Sequence, residues 1–351
     1  MSINGTREYE ERARAGLQPA HYDYFAGGAQ SEVTVLENVA AFDRIKLRPR
    51  VLRGPFTGGL DLQLLDVPLS APIVIAPTAF HGLAHPDGEC ASARATLEAG
   101  TLMMISMAST VALEEIVGVA PRDQARRFCF QLYIQPDRAL TLDLIHRAEA
   151  AGCSAVVVTV DSPVFGHRER DRRNRFFDLP DGLHCANLRV ANEDRYRAIE
   201  FDPALSWKDI DWLCSSTRLP VVLKGILDPD DAVLAIEHGA GAIMVSNHGG
   251  RQLDGVAATI DLLPAVAAAT GNRVPIILDG GIRRGTDILK ALALGAAAVA
   301  IGRPVIWGLA ADGSCGVAEV LSFLKQDLLN ALMLVGCESL DNVDAGILFR
   351  K

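Results

Sequence analysis

Short runs of Val, Ile and Leu recur along the chain, each followed by a polar or glycine-containing turn and then by a longer Ala/Leu-rich stretch with apolar residues three and four apart. A brief continuous apolar run suits a strand buried on both faces, and the wider spacing suits one face of a helix. The pattern is therefore an alternation of strands and helices. Strands are expected at Ile73–Ala76, Leu102–Ser106, Phe128–Leu132, Ala155–Val160, Val221–Lys224, Ala242–Ser246, Ile276–Leu278 and Ala298–Ile301. Between them lie helix signals. Asp228-Pro229 joins a capping residue to a proline suited to the first turn, and Thr286 stands ahead of Asp287-Ile288-Leu289-Lys290-Ala291-Leu292, with Gly295 as the stop. The same alternation suits a doubly wound open sheet, but eight units of this length favour a closed α/β architecture, the TIM (β/α)8 barrel.

Two segments fall outside the alternation. Residues 1–70 read as an N-terminal helical extension with a small strand region, and residues 162–206 read as a long polar insertion after the fourth strand. Long loops on the C-terminal face of a barrel serve as lids or binding loops. The start of this one, His167-Arg168-Glu169-Arg170-Asp171-Arg172-Arg173, has the composition of a solvated helix. One domain over 1–351 is expected: the extension at 1–70, the barrel at 71–310 including the lid at 162–206, and C-terminal helices at 311–351.

Charge narrows the partners. With 34 Lys+Arg against 43 Asp+Glu the formal charge is −9, which argues against general affinity for nucleic acid. The seven cysteines are scattered, odd in number and never spaced CxxC, as in a reduced cytoplasmic protein. Met1 to Ala15 is charged and lacks a signal-peptide core, and the longest apolar runs are short or glycine-broken, so neither secretion nor membrane insertion is expected. No Walker-type or dinucleotide glycine motif follows a strand, and the eight histidines show no metal-site spacing, so no metal is expected.

In a barrel, chemistry gathers at the C-terminal ends of the strands. Here those ends read Gln131-Leu132-Tyr133, Thr159-Val160-Asp161, Lys224-Gly225, Ser246-Asn247-His248 and Asp279-Gly280-Gly281. Any one of them could simply cap the next helix; five together point to a site. His248 paired with a carboxylate such as Asp161 makes a general base, and Arg251 can hold a carboxylate through its planar fork. Asp279-Gly280-Gly281-Ile282-Arg283-Arg284-Gly285 and Ile301-Gly302-Arg303-Pro304 follow the last two strands, where barrels commonly bind phosphate. Tight turns are the plainer alternative for those glycines. Lys224 suits either a Schiff-base nucleophile or a fixed charge beside a cofactor.

Taken together these residues resemble the FMN-dependent α-hydroxy-acid oxidase and dehydrogenase family, which includes glycolate oxidase, lactate oxidase and mandelate-oxidising enzymes. The resemblance spans nearly the whole chain, from Tyr22-Asp23-Tyr24 and Gly27-Gly28-Ala29 through Ala76-Pro77-Thr78-Ala79, Phe130-Gln131-Leu132-Tyr133 and the Ser246 to Asp254 run to Ile301-Gly302-Arg303-Pro304. It implies FMN at the barrel mouth, its phosphate held by the loops carrying Arg283, Gly302 and Arg303. It places Pro77, Thr78, Ala79, Ser106, Gln131, Thr159 and Ser246 around the isoalloxazine ring, with Lys224 beside the N1/O2 edge. It implies a substrate carboxylate held by Arg251, Arg168 and Tyr24, with Tyr133 near the reacting hydroxyl and His248, backed by Asp161, taking the proton. Whether that proton leaves the α-carbon or the hydroxyl stays open. The product on either route is a 2-oxo acid formed from the L or (S) substrate.

Side chain and acceptor are less constrained. Plant-type glycolate oxidases carry a tryptophan near the end of the second strand, where this chain reads Ser106-Met107-Ala108. If Ala108 holds that place, the pocket is wide enough for lactate, a longer aliphatic acid or a mandelate-like acid, with Phe80 on its wall; Met107 or a lid residue filling the space is the alternative. The polar lid differs from the hydrophobic segment of the family's membrane-bound dehydrogenases, and residues 1–70 hold no cysteine and no haem domain. The reading is an oxidase returning electrons to O2 as hydrogen peroxide, assembled as the homotetramer common in the family. A soluble dehydrogenase with another acceptor is the alternative, and a non-redox phosphate-binding isomerase or lyase is the reading from another class.

Overall fold

A computed structural model describes residues 5–349 apart from 191, 192 and 194. Strands β1 (Leu62–Leu64) and β2 (Val67–Leu69) form an antiparallel hairpin. After it come β3 (Ile73–Ile75), β4 (Met103–Ser106), β5 (Phe128–Leu132), β6 (Val156–Thr159), β7 (Val221–Ile226), β8 (Ala242–Val245), β9 (Ile276–Asp279) and β10 (Ala298–Ile301). Among the described residues these eight run parallel in sequence order, and β10 pairs with β3 to close the barrel. The closure settles the barrel against the open sheet.

Alternation along each strand divides the apolar residues between two cores. Val74, Met104, Cys129, Val157, Val222, Met244, Ile277 and Ala298 point inward, packed with Leu64, Val67 and Leu69 of the hairpin. The hairpin therefore plugs the end of the barrel where the strands begin. Ile73, Ile75, Met103, Ile105, Phe130, Val156, Leu223 and Val299 point outward against the helices. With the interior filled, chemistry is left to the opposite, C-terminal mouth.

The caps show where local reading holds and where it shifts. The Asp228 side chain accepts the Asp230 N–H and starts Pro229–Glu237. The helix expected to start after Thr286 is Gly285–Ala293, because Asp287 accepts the N–H groups of Arg283 and Arg284 and draws its start forward. Helix Arg303–Val335 is long and apolar enough to cross a membrane by length and composition, which the sequence did not suggest. It bends at Asp312 and Gly313 and buries Trp307, Val317, Leu321, Leu324 and Leu328 in the protein core. The expected boundary at 310 falls just before that bend, and beyond Gly336 come 3-10 turns at Leu340–Asn342 and Ala345–Ile347 in place of further helices.

Of the three helices of the extension, Thr6–Gly16 packs on helix Arg303–Val335, Pro19–Ala26 on that helix and on Glu169–Arg173 of the lid, and Val33–Arg44 on helix Thr259–Thr270. Buried Asn38 and Asn247 exchange amide hydrogen bonds at 2.9 and 2.8 Å, fixing the third of these helices to the loop after β8. The lid is also anchored: the buried Asn187 side chain accepts the Leu113 N–H and donates to Ser109 Oγ.

Candidate active site

The mouth of the barrel opens into a cavity of about 820 Å³. Lining it are Tyr24, Pro77, Thr78, Ala79, Phe80, Ser106, Ala108, Gln131, Tyr133, Thr159, Arg168, Lys224, His248, Arg251, Asp279, Gly280, Gly281, Arg283, Gly302 and Arg303. Two expected residues stand behind its wall. Asp161 supports His248, while fully buried Ser246, expected on the flavin side, spends its hydroxyl elsewhere: it donates to Asp279 Oδ2 at 2.9 Å and accepts the His248 N–H at 3.1 Å.

His248 sits in the left-handed region, φ 58°. That conformation costs a non-glycine residue roughly 1–2 kcal/mol and persists only where its surroundings impose it. Here the hydrogen bond to Ser246 and the 2.8 Å contact between Nδ1 and Asp161 Oδ1 do so. Burial lowers the pKa of His248 to about 4, with the cations Lys224 and Arg168 pushing the same way and Asp161 opposing. The imidazole is thus neutral near pH 7. Burial works against ionisation of Asp161, but His248, Lys224 and the Ser162 hydroxyl outweigh it and hold its pKa down at about 2. A carboxylate fixed on Nδ1 leaves Nε2 as the basic atom.

Asp161 reaches this position because residue 225 is glycine. Gly225 has φ +112°, and a Cβ there would lie 2.7 Å from the Asp161 Cβ. The register of β7 against β8 shifts at this point, between Lys224 and Ile226. Lys224, 4% exposed, lines the cavity with Nζ 4.0 Å from Asp279 Oδ2. A polar chain continues along the neighbouring strand ends: Ser106 Oγ donates to Gln131 Oε1 at 3.2 Å, and Gln131 Nε2 donates to Thr159 Oγ1 at 3.0 Å.

Arg251 donates to the carbonyls of Tyr24 and Gly27 at 2.6 and 2.9 Å, with its guanidinium 4.9 Å from the Tyr24 ring centroid. Arg303 donates to the carbonyls of Phe25, Gly249 and Gly27. Burial, then Arg168, lowers the pKa of Arg251 to about 10; burial, then Arg251 and Arg283, lowers that of Arg303 to about 9. Buried guanidinium groups that repel one another call for anions. Arg168 is 9% exposed, 4.0 Å from Asp171, and its buried Nε has no partner; nor has Asp279 Oδ1. This unmet donor, the unmet acceptor and Gly280, Gly281 and Gly302 on the same wall suit a phosphate-bearing cofactor beside a carboxylate substrate. Gly281 also has a packing reason, since a Cβ there would come within 1.9 Å of the Asn38 carbonyl oxygen.

The charged run at 167–173 is less solvated than its composition suggests. Only Glu169–Arg173 is helical; Arg168 is buried over the Phe165 ring, and Arg170 pairs with Asp23 and Glu32 of the extension. The sequence reading also passed over the lid aromatics. Phe165, Phe176, Phe177 and Phe201 line the outer cavity, with Phe176 5.5 Å from Tyr24 and Phe201 5.2 Å from Tyr133, centroid to centroid. The signal was present as four phenylalanines in an otherwise polar insertion. Gln252 was missed as well: its amide donates to the Asp161 and Val164 carbonyls and accepts the Gly166 N–H, pinning the start of the lid.

The family model for FMN-dependent dehydrogenase matches residues 13–350. The chain belongs to the FMN-dependent dehydrogenase family. Among similar members, an L-lactate oxidase from Nostoc sp. is 50% identical, the match covering 97% of this chain and 96% of that protein. The glycolate oxidase of Spinacia oleracea is 45% identical over 98% of this chain and 95% of its own. The fold is similar to a solved mandelate oxidase variant with (S)-mandelic acid, at a TM-score of 0.91 and 42% identity, covering 100% of this chain and 99% of that one. Family membership makes FMN the phosphate-bearing group that the arginine and glycine wall suits.

Proposed function

We propose that this chain oxidises an (S)-2-hydroxy acid with an apolar side chain to the 2-oxo acid, with O2 as the final electron acceptor. The observation that carries the reading is His248, backed by Asp161 at 2.8 Å and facing the same cavity as Arg168 and Arg251. When bound, FMN would supply the two-electron acceptor and pass the two electrons on to O2, giving hydrogen peroxide. Pro77, Thr78, Ala79, Ser106, Gln131, Thr159 and Lys224 would hold the ring, and Arg283, Gly302 and Arg303 the phosphate.

Arg251 and Arg168 hold the substrate carboxylate, with Tyr24 packed on Arg251. Two charged contacts plus Tyr133 near the hydroxyl fix which face of the α-carbon is presented, in keeping with an (S) substrate. Neutral His248 accepts one substrate proton at Nε2. Its Nδ1–H remains on Asp161, whose negative charge stabilises the imidazolium. Lys224 places a positive charge where negative charge gathers on reduction.

Ala108 and Phe80, together with the lid phenylalanines, give the side-chain end an apolar wall, which supports a substrate larger than glycolate. The printed names of the similar proteins support an oxidase over a dehydrogenase using another acceptor. The unpaired cysteines support a reducing compartment such as the cytoplasm. A homotetramer belongs to the same proposal and is tested by light scattering.

The purified protein should be yellow, bleach anaerobically with (S)-mandelate or (S)-lactate, and recover in air with one peroxide per turnover. A chain reconstituted with FMN that no 2-hydroxy acid bleaches would overturn the reading. Bleaching with slow recovery in air, alongside rapid reduction of an artificial acceptor, would transfer it to a dehydrogenase.

A further inference from the structure

A buried polar network behind Thr78 takes no part in the steps above. Phe80 is in the left-handed region, φ 61°, and turns the chain so that His81 begins the turn His81–Leu83 directly beneath Thr78. The His81 residue is 1% exposed. Its Nε2 lies 2.6 Å from Thr78 Oγ1, and its Nδ1 lies 2.9 Å from Oγ of Ser92, which is fully buried on helix Gly88–Ala99. The frame is rigid. Glu89, also 1% exposed, accepts the His81 N–H at 2.9 Å and the Thr110 N–H and hydroxyl at 2.9 and 2.6 Å.

Burial lowers the pKa of His81, so the ring is neutral and one nitrogen donates while the other accepts. The chain Ser92–His81–Thr78 therefore has a direction. If Ser92 donates to Nδ1, then Nε2–H donates to Thr78, and the Thr78 hydrogen is released toward the cavity that Thr78 lines. If Nδ1–H donates to Ser92, Thr78 must donate to Nε2, and only its oxygen lone pairs remain for a ligand. In the second case the Thr78 hydrogen is committed to Nε2 and a ligand meets only an acceptor; in the first the hydroxyl has a hydrogen to give.

We propose that His81 is a positioning residue that sets the hydrogen-bonding polarity of the Thr78 hydroxyl toward the bound flavin, and so biases the balance between its oxidised and reduced forms. The proposal rests on the flavin reading above, because Thr78 is the atom-bearing link between His81 and the cavity. A hydrogen bond that favours one redox state more than the other shifts the midpoint potential, and tenfold in that preference is about 30 mV for a two-electron couple.

The test is a double-mutant cycle on the holoenzyme, read as the flavin midpoint potential. His81→Leu should change the oxidised-to-reduced preference by about tenfold when Thr78 is present, and by less than about threefold in the Thr78→Val background. Equal shifts in the two backgrounds, or none in either, would overturn the proposal. His81→Gln, which keeps one donor and one acceptor, should restore most of the wild-type potential; a shift as large as that of His81→Leu would assign the effect to packing and refute the role. Should His81→Leu fail to fold, Ser92→Ala removes the far end of the relay and takes its place with the same expectation. A chain that binds no FMN overturns the flavin reading and this one with it. A flavoprotein reduced by hydroxy acids whose two substitutions add independently overturns only the role of His81.

Discussion

Replacing Asp161 by Asn removes one charge from the site with almost no change in volume. Asp161 Oδ1 is 2.8 Å from His248 Nδ1, and the two side chains are 13% and 17% exposed. With charge centres roughly 4 Å apart and an effective dielectric constant of about 20, the carboxylate stabilises the imidazolium by about 4 kcal/mol. At about 1.4 kcal/mol per factor of ten, the loss in flavin reduction is roughly a thousandfold. An amide can also present its NH2 to Nδ1 and hold the wrong tautomer, which raises the loss toward about ten-thousandfold. The sign of the pH effect is opposite to first intuition. Asp161 raises the pKa of His248, so Asp161→Asn lowers it further below about 4, and the acid limb of kcat/KM moves to lower pH while the plateau falls. Anaerobic stopped-flow reduction at saturating substrate measures the first effect and steady-state profiles the second. A loss below tenfold, or a limb that moves to higher pH, would refute the pairing of these residues as base and support.

Arg251→Lys exchanges a guanidinium whose Nη1 holds two carbonyls, leaving its other N–H groups for a carboxylate, for one ammonium and should raise KM about 10- to 100-fold, as loss of a charged hydrogen bond of about 1.5–3 kcal/mol implies, with a smaller change in kcat; steady-state kinetics reads the split. Gly225→Ala forces a Cβ against Asp161 at positive φ, costing roughly 1–3 kcal/mol. Its melting temperature should fall modestly and its flavin reduction much further, and equal losses would indicate a purely structural glycine. Ala108→Trp narrows the side-chain end, so kcat/KM for mandelate should drop at least about tenfold relative to glycolate, by the roughly 1–3 kcal/mol typical of pocket discrimination; an unchanged ratio removes Ala108 from the pocket.

The barrel was legible because its strands are buried on both faces and therefore write themselves as continuous apolar runs. Each expected strand lies within two residues of an observed one, and the largest difference, the extension of β7 to Ile226, follows from the irregular register at Gly225. Residues at strand ends were legible for the same reason. What escaped was set by tertiary approach. Asp287 captures two N–H groups that lie before the expected helix start. Ser246 faces Asp279 because Asp279 turns toward it, a fact held in the packing of β8 against β9. The lid phenylalanines follow no period, since an irregular loop imposes none, and His81 becomes visible only once Phe80 folds the chain back beneath Thr78.

The N-terminal extension lies outside the barrel yet forms part of the site. The carbonyl of Gly27 accepts hydrogen bonds from both Arg251 and Arg303, the first proposed to hold the substrate carboxylate and the second the cofactor phosphate. Tyr24 and Phe25, in the same stretch, supply the remaining carbonyl for Arg251 and one of the two others for Arg303. Neither guanidinium is positioned by the barrel alone. Buried cations that repel each other would turn away without these acceptors, so the short stretch from Tyr24 to Gly27 holds two positive charges in place. Each arginine keeps further N–H groups beyond those given to carbonyls, and these are available to a carboxylate or a phosphate. The extension thus serves as a fixed counter-surface, one backbone carbonyl linking the Arg251 guanidinium to that of Arg303.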